Sequence, residues 1–275
     1  MKTTDKILSV ISQLIRPLHH YIKIALLYTL KNHNIRVKFP INYSDAKMDL
    51  NLGYFGDFWI FAEGTYEGDW IKKVKNLVRG KTFIDVGAHI GIYSLSLFRE
   101  ARSIYAFEAE KKNYKRLRHH IKINSIKNVK AERKMVSDKD GVLEKLHINK
   151  ENEGMHSSTV SYLNSKVQKV RSIKLDSFIK KYKIKNIGLI KIDVEGGELK
   201  ALRGLSSTLK HHHPPILIEF NQGLAELSGH NLMDIYNLII KYKYKAYRLR
   251  SNRLTGLHKK AHWEFDNENV LFKPF

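Results

Sequence analysis

Two carboxylates, Asp193 and Glu195, end an apolar run in the segment LIKIDVEGGELKALRG and precede Gly196-Gly197 and a helical pattern. Two acids at the exit of a buried strand exceed what solubility requires. They can bind an ammonium or sulfonium cation, orient a hydroxyl, act as a base, or hold a metal. Helix N-capping accounts for Glu195 or Glu198, but not comfortably for Asp193. A second segment, FIDVGAHIG (83–91), ends a strand on Asp85. Gly87 lets backbone pass close to a ligand, and Gly91 opens a helix whose N-terminal amides favour an anionic group. Its spacing is G-x-x-x-G, not the dinucleotide fingerprint G-x-G-x-x-G. Third, Glu108 closes the strand YAFE about 21 positions after Gly87, the spacing at which an acid accepts the hydroxyls of a ribose. Fourth, Ser137 and Asp138 follow NVKAERKMV and suit either turn capping or an adenine edge.

These residues are useful only if strands deliver them to one edge, and the hydrophobic pattern says that they do. The chain alternates in period from residue 68 onward: helix 68–78, strand 81–86, helix 90–98, strand 103–108, helix 111–124, strand 128–136. It continues with strand 187–194, helix 197–205, strand 216–220, helix 232–242 and strand 244–250, and NVLFKPF at the terminus completes the sheet. Short apolar runs alternating with amphipathic helices predict a doubly wound α/β fold around a mostly parallel sheet. In such sheets ligands bind beyond the carboxyl ends of the strands, where strand order reverses. VLEKLHI and VQKVRSIKL flank a polar loop, NKENEGMHSSTVSYLNSK, whose length points to function or mobility.

The remaining chain is preface. Segments such as IRVKF and DFWIF predict small strands over 35–62. Residues 6–30 have helical spacing but are broken by Arg16, Pro17, His19, His20 and Lys23, too often for a membrane-spanning helix of ~20 apolar residues. An amphipathic helix bent at Pro17 and docked on the domain is expected, with a membrane-surface or partner role as the alternative. The division is therefore 1–63 for helix and preface and 64–275 for the main domain. With no small-residue cleavage site, a cytoplasmic location is expected, with peripheral membrane association as the alternative.

Composition narrows the chemistry further. The 275 residues contain no cysteine, which removes disulfides, thiolate zinc sites, iron–sulfur clusters and cysteine nucleophiles. Lys and Arg number 49 against 27 Asp and Glu, for a formal net charge of +22. That excess fits a nucleic-acid backbone or an anionic lipid or glycan surface, and the cations are spread along the chain rather than clustered.

FIDVGAHIGIYSL, YAFEAEKKNYKRLRHHIKIN, LIKIDVEGGELKALRGL and ILIEF, in that order, resemble the FkbM-type S-adenosylmethionine-dependent methyltransferases. The resemblance runs over about 64–220, the upstream GTYEGDW included, and implies a Rossmann-like class I methyltransferase fold with a seven-stranded sheet. It implies that Asp85, Gly87, Ala88 and Gly91 cradle the methionine part of S-adenosyl-L-methionine and that Glu108 holds its ribose. Val136 and Ser137 would border the adenine, and Glu67 would close over the cofactor. Asp193 and Glu195 would stand beside the reacting methyl, and the Gly154-Met155-His156-Ser157-Ser158 loop resembles the Ser-rich loop of the family. Ala109-Glu110 stands where the family often carries Pro.

Methyl transfer from a sulfonium is an in-line displacement, so orientation does most of the work, and a base helps if the acceptor is a hydroxyl. Candidates for that base are Asp193, then His156, then Glu195; His89 is expected to pack within the glycine turn. A metal-assisted version would use Asp193, Glu195 and Glu219 as oxygen ligands for Mg²⁺. The spacing does not demand it, and a metal-free site is expected. The acceptor expected from the resemblance is a hydroxyl of a sugar, glycan or lipid-linked intermediate. A methyltransferase of RNA or DNA and a non-catalytic binding protein that keeps the fold are the alternatives. Base-amino methylation would favour an Asn/Asp-Pro-Pro-aromatic segment, and the only Pro-Pro, Pro214-Pro215, has no acid or Asn before it.

Overall fold

The computed structural model describes residues 10–30, 33–65, 67–149, 156–161, 165–257 and 267–275. Its strands are β1 (Arg36–Pro40), β2 (Lys47–Asn51), β3 (Thr82–Val86), β4 (Ser103–Phe107), β5 (Val129–Glu132), β6 (Met135–Val136) and β7 (Leu143–Ile148). They continue as β8 (Lys166–Ile173), β9 (Ile187–Ile192), β10 (Ile216–Phe220), β11 (Tyr244–Arg250), β12 (Arg253–Leu257) and β13 (Glu268–Pro274). Eight form one sheet in the order β12-β11-β13-β10-β9-β3-β4-β5. The five strands from β10 to β5 are parallel, and β13, β11 and β12 join antiparallel. The expected seven strands are present, and β12 adds an eighth through a hairpin with β11.

Strand order reverses at β3, whose chain continues to β4 and β5 on one side and later fills β9 and β10 on the other. Side chains in the central strands alternate between two cores, as a sheet covered on both faces requires. Phe83, Leu189, Leu217 and Leu271 face one core with the helices Gly68–Val78 and Lys111–Ile123. Ile84, Ile190, Ile218 and Phe272 face the other, with Leu175–Lys181 and Leu232–Ile240. All five side chains of β3 are buried; Phe83 and Ile84 each contribute roughly 1.5–3 kcal/mol by leaving water.

That two-residue period positions the site. One step beyond Phe83, Leu189 and Leu217 on the same face stand Asp85, Lys191 and Glu219, and Asn269 is the register partner of Glu219 on β13. Polar groups thus replace aliphatic ones where the sheet meets its carboxyl edge.

The preface differs from expectation in one element. DFWIF lies in a helix, Phe55–Glu63, not a strand. Its aromatics satisfy helical spacing: Phe58 and Ala62, four apart, pack on Leu27, and Phe61 meets Phe39 edge-on at 5.0 Å. Gly64 ends the helix at φ 79, its N–H bonding Ile60 O. NVKAERKMV likewise divides: Arg133 and Lys134 interrupt it, and β6 leaves the large sheet to pair with β8.

The two preface strands are fastened to the main sheet through a neutral histidine. His120 Nδ1 donates to Ile90 O at 2.9 Å, and Nε2 accepts the Asp49 N–H at 3.1 Å. Asn124 bonds both the N–H and the carbonyl of Lys47 at 2.7 Å. Residues 10–15 and His20–Leu30 are helical and flank Pro17, docking through Leu27 onto Phe58 and Ala62. Among the described residues, no helix is long and apolar enough to cross a membrane.

Candidate active site

A cavity of about 610 Å³ opens at the carboxyl edge where strand order reverses. Asp85, Gly87, Ala88, Glu108, Val136, His156, Asp193, Glu195 and Glu67 all line it, so the sheet brings together nearly every residue the sequence singled out. Gly91 lies beneath, as the left-handed N-cap of the helix Ile92–Leu97. Ser137 does not line the cavity: its N–H bonds Ile173 O at 3.0 Å, and its carbonyl lies against Gly204. Gly154 and Met155 lie outside the described residues, while His156 and Ser158 reach the cavity wall.

Gly87 is required for two reasons. Its φ is +79, and a Cβ there would meet the Asp193 carbonyl at 1.7 Å. The turn that follows is tied to β4, because the N–H groups of Gly87 and Ala88 both bond Phe107 O, at 3.0 and 2.9 Å. The next N–H, that of His89, donates to Glu108 Oε2 at 2.8 Å, and Glu110 N–H donates to Glu108 Oε1 at 2.7 Å. His89 is one of the cavity's wall residues and holds φ 51. Glu110 in turn caps the helix Lys111–Ile123 by accepting the Asn113 N–H. The Ala109-Glu110 turn therefore fixes Glu108 without a proline. Burial pushes Glu108 up, the two N–H bonds oppose it, and the carboxyl comes to about 7.

The floor is a buried charge cluster with a single lysine. Lys191 is 4% exposed, donates to Asp193 Oδ2 at 2.6 Å and stands 4.8 Å above the Tyr93 ring. Burial opposes its charge, but Asp193, Glu67 and Asp85 outweigh that and raise the ammonium above its ordinary value. Asp85 accepts from Ser94 Oγ at 2.6 Å, and burial raises it. Glu67, also raised by burial, accepts from Tyr93 OH at 2.7 Å and Asn269 Nδ2 at 2.5 Å.

Acids dominate the opposite side. Burial first, then Asp193 and Glu198, push Glu195 up to about 9. Glu198 accepts the Val194 N–H at 2.9 Å as a helix-start cap, and burial lifts it to about 7. Glu219, at the end of β10, is raised well above its ordinary value by burial and then by Asp193. The Ser-rich loop is anchored here, with Ser157 Oγ donating to the Glu195 carbonyl at 2.5 Å. His156 Nδ1 accepts the Asn149 N–H at 3.2 Å. Lys191, Tyr93 and Asn269 were not singled out from sequence. Lysine within the apolar run LIKI was the available signal, because an unpaired ammonium does not stay in a sheet interior.

The order β5-β4-β3-β9-β10-β13-β11, with a ligand-sized cavity at the reversal, defines a Rossmann-like class I methyltransferase fold. The family pattern of the methyltransferase FkbM domain matches residues 85–248. The chain belongs to that family. No curated protein matches it. Among solved structures, it is similar to the methyltransferase FkbM from Methylobacillus flagellatus KT, at 16% identity and a TM-score of 0.45, over 92% of this chain and 59% of that one. It is also similar to a putative methyltransferase from Streptococcus mutans in complex with SAH, at 12% identity and a TM-score of 0.44, over 74% and 97% of the two chains. A putative rRNA methylase from Clostridium thermocellum aligns at 8% identity and a TM-score of 0.47, over 76% and 95%. The chain thus spans less than two thirds of the Methylobacillus protein.

Proposed function

We propose that this protein is an S-adenosylmethionine-dependent O-methyltransferase whose acceptor is a hydroxyl of a sugar, glycan or lipid-linked intermediate. The observation that carries the reading is Glu108, a carboxylate held by two backbone N–H groups beside the Gly87 turn and presented to the cavity. The residues present fit the cofactor in two ways: the buried Glu108 carboxylate stands at the cavity wall, and the acid-rich wall suits a sulfonium cation. S-adenosylmethionine supplies an activated methyl group, and its sulfur keeps the bonding electrons as a neutral thioether when the methyl leaves.

The chain's own residues do the rest. Glu108 would accept hydrogen bonds from the ribose hydroxyls, and Asp85 with the Gly87 turn would hold the amino-acid end. Asp193 takes the acceptor's proton as the oxygen lone pair forms the new bond. Lys191 fixes Asp193 through Oδ2 and leaves the other oxygen for the acceptor. Burial and the nearby Asp193 and Glu198 raise Glu195, which favours Asp193 over it as the base. Transfer of labelled methyl from S-adenosylmethionine to a panel of saccharides tests the reading: turnover is expected, and its loss in Asp193→Ala. Normal turnover in that variant removes Asp193 from the role.

The N-terminal helices support contact with an anionic membrane surface. Val10, Leu14, Tyr21, Ile22, Tyr28 and Phe55 are exposed, and Arg16, His19 and His20 lie among them in a chain of net charge +22. Co-sedimentation with phosphatidylglycerol vesicles, absent with phosphatidylcholine vesicles and weakened by Leu14→Glu with Tyr28→Glu, is the expected result. Equal sedimentation with both lipids contradicts it.

A further inference from the structure

The acidic side of the cavity holds two carboxyl groups, Glu195 and Glu219, beside the Asp193 that the methyl-transfer reading uses as a base. Asp193, Glu195 and Glu219 each present one carboxylate oxygen within 4.8 Å of the other two, and no other His, Asp or Glu set of this kind occurs among the described residues. Glu219 is 7% exposed, and its carboxylate makes no hydrogen bond or ion pair with the described residues although it lines the cavity. Buried carboxylates are ordinarily paired or hydrogen-bonded, because desolvation of an unpartnered one costs several kcal/mol. Lys191 gives its hydrogen bond to Asp193 and to neither glutamate. Strand register explains the convergence, since β9 and β10 are parallel neighbours and release Asp193 and Glu219 at the same edge.

We propose that Asp193, Glu195 and Glu219 form a site for a hard divalent cation of the Mg²⁺ or Mn²⁺ type. The donors are all oxygens, which hard cations prefer over nitrogen or sulfur sets. Ligand oxygens around such an ion lie ~3–4 Å apart, and rotation about the terminal side-chain bonds closes the difference from the observed spacing. Three carboxylates on one side leave the remaining coordination positions to water and to an acceptor. Where an acceptor hydroxyl reaches the ion, its proton becomes more acidic and its oxygen is oriented. That last role rests on the methyl-transfer reading; the cation site does not.

Electron paramagnetic resonance during titration of the full chain with manganese(II) chloride tests the site directly. One ion per chain is expected to bind, with Glu219→Gln and Glu195→Gln each weakening it by roughly tenfold or more. Circular dichroism matching that of the unsubstituted chain shows that both variants fold, and calorimetry with S-adenosylhomocysteine on the unsubstituted chain reports on the nucleoside side. Absence of manganese binding to the unsubstituted chain up to about 1 mM overturns the proposal. Binding that neither substitution alters overturns it as well. If S-adenosylhomocysteine binds and manganese does not, the cation site fails and methyl transfer stands. If manganese binds and S-adenosylhomocysteine does not, the cation site stands and methyl transfer fails.

Discussion

Lys191 Nζ lies 2.6 Å from Asp193 Oδ2, two residues along one strand exit and on the same face of the sheet. The same ammonium faces Asp85 and Glu67, so one cation holds together the glycine turn, the preface and the proposed base. Removing one partner of a buried pair leaves uncompensated charge. Lys191→Met is therefore expected to lower stability by on the order of 3 kcal/mol at pH 7.5. The loss shrinks at pH 5, where the orphaned acids take up protons. Urea unfolding at the two pH values checks both the size and its direction, and equal losses would show that Lys191 acts by packing alone.

Gly87 and Gly80 both hold positive φ, at 79 and 67, but only one has a neighbour in the way. An added methyl at Gly80 meets nothing within 4 Å, so Gly80→Ala carries the backbone cost alone, about 1 kcal/mol. At Gly87 it collides with the Asp193 carbonyl, and Gly87→Ala is expected to cost ~3 kcal/mol or more. The two thermal unfolding midpoints, measured side by side, separate strain from overlap.

Much of this site was legible in sequence because strand ends obey a two-residue period and glycine turns have few conformations. Asp85, Gly87, Glu108 and Asp193 needed only the strand positions to be right. DFWIF was not legible: Phe58, Trp59 and Phe61 satisfy both alternation and helical spacing, and packing on Leu27 and Phe39 chose the helix. At the end of NVKAERKMV, Ser137 suits either turn capping or an adenine edge, and the resemblance implies the second; the chain instead leaves the large sheet at Arg133 and pairs with β8. Lys191 was hidden because its role depends on acids from three separate segments, which only the fold assembles.

His120 gives the stability a defined pH signature. Burial, with weaker opposition from its bond to Ile90, lowers its pKa from 6.5 to about 4. The folded state thus favours the neutral ring, and the resulting stability is fully present above pH 6.5 and lost as pH falls toward 4. Relative to His120→Gln, the native chain should lose roughly 3 kcal/mol across that window. Urea midpoints at pH 7 and pH 4.5 for both chains supply the comparison, and a constant difference would show that His120 is not neutral in the fold.

Glu195 has the opposite sign. Its folded-state pKa is raised to about 9, so ionisation favours the unfolded chain as pH rises above about 4.5. Glu195→Gln imitates the protonated form. With a chelator present, its stability relative to the native chain is expected to increase steadily between pH 5 and pH 8.5. A flat difference would place Glu195 in water rather than in the buried cluster.

Under the proposed function, the cavity at the strand reversal binds the nucleoside of S-adenosylmethionine through Glu108. Isothermal titration of S-adenosylhomocysteine into the full chain tests it most directly. Binding at one site per chain is expected, with a loss of at least about a hundredfold in Glu108→Ala, because two charge-assisted hydrogen bonds to the ribose would be removed, worth ~1.5–3 kcal/mol each. Circular dichroism of the variant should match that of the native chain. Absence of binding by the folded native chain, or undiminished binding by folded Glu108→Ala, would contradict it.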